Sequence, residues 1–395
     1  MPDLSAATET KEQAIARGFA AIISHIRQNG LTDGIAGVED WIDHVNAPAL
    51  KGAMARLLGF YWLRKQNAAK AIHYSDMANI LLSHDADSTF NALCGLSLVG
   101  RWPEVATRGE AALARFGEME RWHNILCSAH GYLGHRETAQ AHGAACLALK
   151  DAAASGPVHP LSDVPVPPFD PARPRANAIS FSLFGNKDFQ SHAAILNARA
   201  ARFLYPGWSC RFYVDDLATP DLVRALDAEG ARVLRVDGLP AGSHGGIWRF
   251  LVADDPEVER YLVRDSQALL SIRERAAVEA WLGSDRHFHA MRDNFDHSEL
   301  LLPGLWGGIR GALPPIGPWV RAWMNGRAAE PGNTLDHKFA GDQLWPTIRT
   351  SVLTHDSQFD FGASVDFPPG FRLPSGCHAG CDARLFPGAD HRNVG

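Results

Sequence analysis

Long apolar runs, an excess of basic residues and a dense set of cysteines are all missing from this sequence. No apolar run approaches the ~20 residues with which a helix spans a bilayer. The first residues, Met-Pro-Asp-Leu-Ser, lack a basic stretch followed by an apolar one, so we expect no secretion signal. The net charge of −6 argues against a nucleic-acid-binding protein. The rest of the composition, 46% hydrophobic and 21% charged, is that of an ordinary soluble globular protein.

The cysteines are few and mostly scattered. Three of the six lie within helical patterns and are expected to be small buried residues. Cys377 and Cys381 are closely spaced, but one pair cannot complete a four-ligand zinc site, and whether they bind metal or pair with each other stays open. A reducing, cytoplasmic location is the simplest interpretation.

The first part of the chain, residues 1–155, contains an internal repeat. Leu-Val-Gly-Arg at 98–101 recurs 34 residues later as Tyr-Leu-Gly-His at 132–135, and Gly109 recurs as Gly143. A 34-residue period built from two helices resembles tetratricopeptide repeats, with a generic helical bundle as the alternative. We therefore predict a tetratricopeptide-like (TPR-like) domain, whose concave surface would recruit an acceptor or a partner protein.

A proline-rich linker is predicted at residues 156–176, because its many prolines disfavour both helix and sheet. From residue 177 to 395, short apolar strands alternate with helical patterns, which indicates a mostly parallel α/β sheet flanked by helices. The predicted strands are 178–184, 210–214, 232–236, 260–264, 287–291 and 351–354. After Pro303 the pattern loosens into glycine- and proline-rich loops.

Acidic residues follow three of the predicted strands. They are Asp215 with Asp216, Asp265 after Arg264, and Asp293 after Arg292. Open α/β sheets bind their ligands at the carboxyl ends of the strands. Carboxylates suit a divalent cation and guanidinium groups suit phosphate, so this edge is a candidate site for a metal diphosphate.

These motifs resemble a GT-A type glycosyltransferase domain over about residues 176–360, nearly half of the chain. The matching motifs follow in family order: Ser182–Gly185, Tyr205–Trp208, Arg211–Tyr213, Trp248–Phe250, Arg264–Ser266, Met291–Asp293, Trp306–Gly308 and Asp342–Gln343. The resemblance implies a GT-A, Rossmann-like mixed sheet and a nucleotide-sugar donor, for which a UDP-sugar is our first expectation.

The resemblance also implies roles for individual residues at the donor. Ser182 and Phe184 would line the nucleotide pocket. Arg249 and Arg264 would neutralise the diphosphate, and Asp265 would face a Mn²⁺ or Mg²⁺ ion.

Four further residues are implied around the sugar. Asp293 would lie near donor or acceptor, as the candidate catalytic base. Asp342 and Gln343 would contact the donor sugar or the acceptor. His355, placed after the last predicted strand, would be a second metal ligand, although a surface histidine fits the same pattern.

Gln267 stands where the family has the second carboxylate of its Asp-x-Asp signature. An uncharged amide oxygen coordinates a cation more weakly than a carboxylate does. Three outcomes stay open: a metal bound through Asp265, His355 and the diphosphate; a metal-independent enzyme that uses Arg249 and Arg264; or a domain that has kept binding without catalysis.

The sequence thus predicts a glycosyltransferase that moves a sugar from a nucleotide-diphosphate sugar to a glycan or protein. The alternative is a non-catalytic interaction scaffold with a degenerate transferase domain. A nucleotidyltransferase is less favoured, since Gly185-Asn186-Lys187 is a poor substitute for the glycine-rich basic loop such enzymes place after the first strand. No nucleic-acid partner and no transmembrane segment are expected.

Overall fold

The structure is a computed structural model of the 395-residue chain. It describes residues 10–29, 35, 37–83, 85–185, 188–237, 242–325, 327 and 335–385. The chain divides into two compact units, Met1–Cys146 and Leu147–Gly395. Within the described residues, no helix combines the length and the apolarity that crossing a membrane requires.

The first unit is helical. Its helices are α1 (Lys11–Asn29), α2 (Val38–Ile42), α3 (Pro48–Arg64), α4 (Ala68–Leu81), α5 (Ala86–Leu98), α6 (Trp102–Phe116), α7 (Glu120–Tyr132) and α8 (Arg136–Ala153), whose last residues belong to the second unit. Helices α5 and α7 begin and end 34 residues apart, the period of the sequence repeat. Gly100 and Gly134 follow them at φ +69° and +79°, a backbone conformation that favours glycine.

Two apolar clusters form the core of the helical unit. One cluster contains residues of helices α1 through α4, among them Phe19, Met54 and Leu58. The other contains residues of helices α5 through α7, among them Leu96 and Trp122. Such burial is what an isolated helical hairpin lacks, so consecutive hairpins stabilise one another.

The second unit contains a seven-stranded sheet. The strands are β1 (Asn177–Leu183), β2 (Ser209–Val214), β3 (Arg232–Arg235), β4 (Arg260–Arg264), β5 (Phe288–Arg292), β6 (Leu305–Ile309) and β7 (Val352–Asp356). Their order is β3-β2-β1-β4-β6-β5-β7, with β6 antiparallel to both of its neighbours and all other pairs parallel. All residues of β1, β4 and β5 are buried, as expected of a sheet covered on both faces.

Helices connect and follow the strands. They are α9 (Asp188–Leu204), α10 (Pro220–Ala228), a 3-10 helix at Gly242–Asp254, α11 (Ile272–Leu282), α12 (Ile316–Met324), α13 (Leu335–Phe339), a π-helix at Ala340–Leu344 and α14 (Trp345–Ile348). The predicted fold class is confirmed: an α/β unit with a mixed sheet flanked by helices, preceded by an all-α region.

Two local predictions need correction. The segment Trp306 to Gly308, predicted as part of a loop, lies in the central strand β6. Its glycines permit close pairing with β4, since a Cβ at Gly307 would lie 2.6 Å from the carbonyl oxygen of Tyr261. His355, predicted to follow the last strand, is instead inside β7.

Candidate functional site

The carboxyl ends of β1, β2, β4, β5 and β7 meet at one edge of the sheet, because these strands run in the same direction. This edge carries the acidic strand ends that the sequence predicted to converge. The side chains there have very different surroundings, and those surroundings decide which of them can reach a ligand.

Asp265 and Asp336 share one buried arginine. Arg249, from the 3-10 helix, is 3% exposed. Its Nη1 donates to Asp265 Oδ1 at 2.9 Å and its Nη2 donates to Asp336 Oδ2 at 2.8 Å. The side chain of Asp336 is 11% exposed and that of Asp265 is 44% exposed, so Asp265 is the solvent-facing end of this ion triad.

The triad carries two negative charges and one positive charge. Burial by itself would lower the pKa of Arg249, but the nearby carboxylates of Asp265 and Asp336 outweigh it and raise that pKa. Arg249 therefore stays charged and is occupied by the carboxylates. This differs from the predicted role, in which Arg249 neutralises a diphosphate directly; in the structure it positions Asp265.

The second carboxylate oxygen of Asp265 belongs to a side chain that is 44% exposed. Within the described residues, Oδ2 accepts no hydrogen bond, and a Cβ at Gly304 would lie 3.1 Å from it. Glycine at position 304 thus keeps clear the space beside this oxygen. Mg²⁺-type cations are commonly held by one or two carboxylates together with substrate phosphates. Asp265 fits a cation that arrives with a diphosphate.

Ser182 links the end of β1 to the same region. Its hydroxyl accepts from the backbone N–H of Arg249 at 2.8 Å and donates to the carbonyl of Gly246 at 3.3 Å. Phe184 packs against Gly245 and lies edge-on to Trp248 at 6.1 Å between ring centroids. Ser182 therefore fixes the 3-10 helix that carries Arg249.

A cavity of about 120 Å³ lies at the ends of β1 and β2. Its lining includes Gly185, Gln190, Asp215 and Thr219. Asp215 Oδ2 accepts from the N–H of Gly185 at 2.8 Å, which joins the two strand ends. Ser182 and Phe184, predicted to line the nucleotide pocket, are not part of this cavity's wall. Asn186 and Lys187, considered for a phosphate loop, lie outside the described residues.

Gln267 is partly exposed and its side-chain oxygen is 3.4 Å from Gln190 Nε2. This contact connects the loop after β4 with the cavity through α9. The amide oxygen of Gln267 thus accepts a long hydrogen bond from another side chain.

Arg264 does not face the site. Its Nε donates to Glu274 at 2.9 Å and its Nη1 donates to the carbonyls of Val263 and Trp306. Arg264 is 2% exposed and Glu274 is 1% exposed. The prediction that Arg264 neutralises a diphosphate is corrected, because its guanidinium is enclosed in the core as half of a buried ion pair.

Asp293 is 7% exposed and fully engaged. Arg273 donates to both of its oxygens at 2.7 and 2.6 Å, Ser357 Oγ donates to Oδ1 at 2.7 Å, and the N–H of Ala379 donates to Oδ2 at 2.8 Å. Four donors on one carboxylate leave little capacity to take a proton from an acceptor hydroxyl. The geometry indicates that Asp293 ties α11 to the C-terminal segment, and it speaks against the predicted role as a base.

His355 is 1% exposed and its Nδ1 lies 2.9 Å from Nε2 of His289. Burial lowers the pKa of His355 to about 4. Strands β4 and β7 are separated by two strands, or ~14 Å at the usual spacing. His355 and Asp265 therefore lie too far apart to bind one ion together in the way that the sequence had predicted.

Asp342 and Gln343 lie on the π-helix that directly follows α13, the helix that carries Asp336. Asp342 is exposed, and Gln343 Oε1 accepts from Trp319 Nε1 at 3.3 Å. Short π-helices are frequent at functional sites. One continuous helical segment thus carries Asp336, the inner carboxylate of the triad, and the exposed carboxylate of Asp342 less than two turns later.

Sequence reasoning missed Asp336, Arg273 and Glu274 as partners of the predicted residues. Asp336 follows a glycine- and proline-rich stretch without a motif of its own. Its acidic character in the first turn of a helix was the only available signal.

No family profile and no curated protein matches this sequence. Solved structures show remote likeness. An O-GlcNAc transferase mutant of Thermobaculum terrenum is 16% identical with a TM-score of 0.41, over 65% of this chain and 47% of that one. This chain thus spans about half the length of that protein.

Two further solved structures are similar to part of the chain. Glucosyl-3-phosphoglycerate synthase of Mycobacterium tuberculosis, in complex with Mn²⁺, UDP and phosphoglyceric acid, is 12% identical with a TM-score of 0.29, over 48% of this chain and 74% of that one. A mycobacterial protein is 14% identical with a TM-score of 0.27, over 42% of this chain and 68% of that one. Likeness this remote carries no functional argument, so function rests on the site.

Proposed function

We propose that residues 177–395 form a GT-A type glycosyltransferase domain that takes a sugar from a nucleotide-diphosphate donor. The observation that carries the proposal is the triad Asp265–Arg249–Asp336 at the carboxyl end of β4, with one carboxylate oxygen of Asp265 left open. The motifs quoted from the sequence give the donor class, and the triad supplies a geometry suited to it.

The donor would be divided between two parts of the sheet edge. The cavity at the ends of β1 and β2 would take the nucleoside, with Asp215 as an acceptor for ribose or base donors, since each carboxylate oxygen has a second lone pair. The diphosphate would lie toward Asp265. A divalent cation bound with it would neutralise the charge that develops on the leaving nucleoside diphosphate.

Arg249 would act on this chemistry by holding Asp265. With its guanidinium between two carboxylates, the triad keeps a net charge of −1, which attracts a cation and repels a bare diphosphate. Donor binding is therefore expected to require Mn²⁺ or Mg²⁺. Asp342 and Gln343, on the segment that follows Asp336, are the proposed contacts to the sugar or the acceptor.

The helical region, residues 1–155, would recruit the acceptor, and residues 156–176 would link it to the transferase domain. The helical unit contains a cavity of about 530 Å³ with Phe19, Phe60 and Phe90 in its wall, beside the charged Arg56 and Asp87. An aromatic surface with charges of both signs suits an extended peptide, which favours a protein acceptor or a protein partner.

Nucleotide release tests the proposal. The full chain would be incubated with UDP-, GDP-, CMP- and dTDP-sugars, with and without Mn²⁺, and the freed nucleotide measured. We expect one donor class to be hydrolysed slowly, and Asp265→Asn to lower that rate ~100-fold. The matched control is Asp216→Asn, because Asp216 also follows a strand but its side chain is 94% exposed and pairs with Arg235.

A thermal-shift series with the same nucleotides separates the alternatives. A shift with one nucleotide and Mn²⁺, but no sugar release with any donor, would favour the non-catalytic scaffold. Absence of any nucleotide-dependent shift would remove the donor site from the sheet edge altogether.

A further inference from the structure

A network of histidine and glutamate side chains, here called the His/Glu network, crosses the last helices of the helical unit, far in sequence from the transferase motifs. It comprises Glu110 on α6, Glu118 before α7, His123 and His130 on α7, His135 before α8 and His142 on α8. Consecutive members contact one another through ring nitrogens or carboxylate oxygens. Neither the resemblance to glycosyltransferases nor the helical repeat pattern explains these residues.

Three potential metal-ligand atoms converge within this His/Glu network. Glu110 Oε1 lies 3.3 Å from His130 Nε2 and 3.2 Å from His142 Nε2. The ligand atoms of the three residues lie within 4.8 Å of one another. The side chains of both histidines are 13% exposed, while that of Glu110 is 48% exposed. The arrangement is a two-histidine, one-carboxylate set that opens to solvent on one side.

The other ring nitrogens are held by neighbouring side chains. His142 Nδ1 lies 2.9 Å from His123 Nδ1, and His123 Nε2 lies 2.6 Å from Glu118 Oε2. His130 Nδ1 lies 3.2 Å from His135 Nδ1. Metal-binding histidines typically have their second nitrogen fixed in this way, because the hydrogen bond sets the tautomer and the ring orientation.

With every ring neutral, the proton positions along this His/Glu network leave one contact without a donor. Glu118 only accepts, so the neutral ring of His123 donates from Nε2 and accepts at Nδ1. His142 must then donate from Nδ1, which places a lone pair on its Nε2. That lone pair faces Glu110 Oε1, which is also an acceptor. For neutral rings, a cation between the two atoms turns this repulsion into attraction.

The preceding repeat provides an internal comparison. One period of 34 residues earlier, Asp76 occupies the position of Glu110 and Arg108 that of His142, and these two form an ordinary ion pair. The position of His130 is taken there by Leu96, which is fully buried in an apolar cluster. The later repeat thus has two imidazoles where the earlier repeat has a core leucine and an arginine, a residue that does not bind metal.

We propose that Glu110, His130 and His142 bind a divalent transition metal of the Zn²⁺ class, with water at the remaining position. Imidazole and carboxylate are suitable ligands for such ions, and three protein ligands with one open position form a common arrangement. His123 and His135 orient the ligand rings. The ion joins α6, α7 and α8 at a place where the earlier repeat uses an ion pair.

Co²⁺ titration of the full chain after EDTA treatment and dialysis tests this site, since bound Co²⁺ gives visible absorption bands. We expect His142→Arg to lose one equivalent of bound Co²⁺, or to weaken it at least ~100-fold, which exceeds the usual effect of losing a hydrogen-bond partner of a ligand. The arginine restores the ion pair of the earlier repeat, so the variant should keep its helical circular dichroism. His73→Ala, which removes an exposed histidine of α4, is the matched control and should bind like the wild type.

Further variants keep the result interpretable. Glu110→Gln removes the carboxylate with little change in shape and covers the case in which His142→Arg fails to fold. Asp265→Asn should retain the Co²⁺ bands, which distinguishes this site from the proposed donor site. Equal stoichiometry and affinity in wild type, His142→Arg and Glu110→Gln would overturn the proposal, as would bands that disappear only in Asp265→Asn.

Discussion

Replacing Arg249 with methionine should destabilise the second unit strongly, because it leaves a buried carboxylate without its cation. Asp336, whose side chain is 11% exposed, would lose its ion-pair partner at 2.8 Å. Asp265, at 44% exposure, would turn toward water. Removing one member of a buried ion pair lowers the free energy of unfolding by about 3–5 kcal/mol. Because Asp265 can be hydrated, we expect a loss of ~3 kcal/mol for Arg249→Met.

A double-mutant cycle makes the reasoning quantitative. Asp336→Leu alone leaves Arg249 paired with Asp265, so we expect a smaller cost of about 1–2 kcal/mol. In the double variant, no carboxylate stays buried without a cation. Its loss of unfolding free energy should therefore be smaller than the sum of the two single losses by at least ~1 kcal/mol.

Urea unfolding of the four proteins, followed by tryptophan fluorescence, measures these costs. The chain has eleven tryptophans, and one of them, the buried Trp248, is adjacent to Arg249 in the sequence. Arg224→Met is the control, because Arg224 pairs with Asp221 at side-chain exposures of 70% and 87% and should contribute little. Additive costs in the cycle, or an Arg249→Met effect no larger than the control, would refute the buried-triad interpretation.

Three further predictions follow from the same unit. Gly304→Ala should weaken Mn²⁺-nucleotide binding ~10-fold in calorimetry, because the added Cβ would crowd Oδ2 of Asp265. The control Gly283→Ala, in which the nearest neighbour lies 3.7 Å from the added Cβ, should not change the affinity. Equal affinities of the two variants would contradict the inference that Oδ2 of Asp265 is available to the ion. Gln267→Asp should tighten Mn²⁺ binding ~10-fold by adding a second carboxylate, and unchanged binding would show that position 267 does not reach the ion. The pKa of His355 is lowered to about 4 by burial, so its neutral form stabilises the fold above pH 6.5 and that stability, up to about 3 kcal/mol, is lost as pH falls from 6.5 to 4. Across this pH range, the free energy of unfolding should depend less steeply on pH in His355→Leu than in the wild type. An unchanged pH dependence would exclude His355 as the titrating group.

The order of strands and helices in the second unit could be predicted from the sequence because most of these elements have a local pattern. Strands β1, β2, β4 and β5 are short apolar runs. Helices α10 and α11 begin after the caps Thr219 and Ser271, whose side chains accept a hydrogen bond from the backbone N–H of Leu222 and of Glu274. Strand β6 was missed because Gly307 and Gly308 occupy its centre and glycine usually indicates a loop. Glycine is needed at these two positions because residues of the neighbouring strands approach too closely to leave room for a Cβ.

The partners of the site residues could not be predicted in the same way. Arg264 follows the pattern of a phosphate-binding arginine at a strand end, yet its guanidinium enters the core to meet Glu274 on α11. A serine followed three residues later by a glutamate is a typical helix start, and Ser271 with Glu274 forms such a start at α11. This pattern did not predict that this carboxylate would be buried beside β4, since that depends on how α11 packs on the sheet.

Asp265 and Asp293 show most clearly where local pattern ends. Both follow an arginine at the end of a buried parallel strand, and sequence alone assigns them similar chemistry. The structure separates them by what other elements supply. Asp293 receives four hydrogen bonds from α11 and the C-terminal segment, whereas Asp265 receives side-chain hydrogen bonds only from Arg249 within the described residues. Opposite the remaining oxygen of Asp265 lies Gly304, a residue without a side chain. A carboxylate is available to a ligand only where its neighbours leave a lone pair unsatisfied. By that criterion Asp265 can accept a ligand, whereas the oxygens of Asp293 are occupied by hydrogen bonds within the protein.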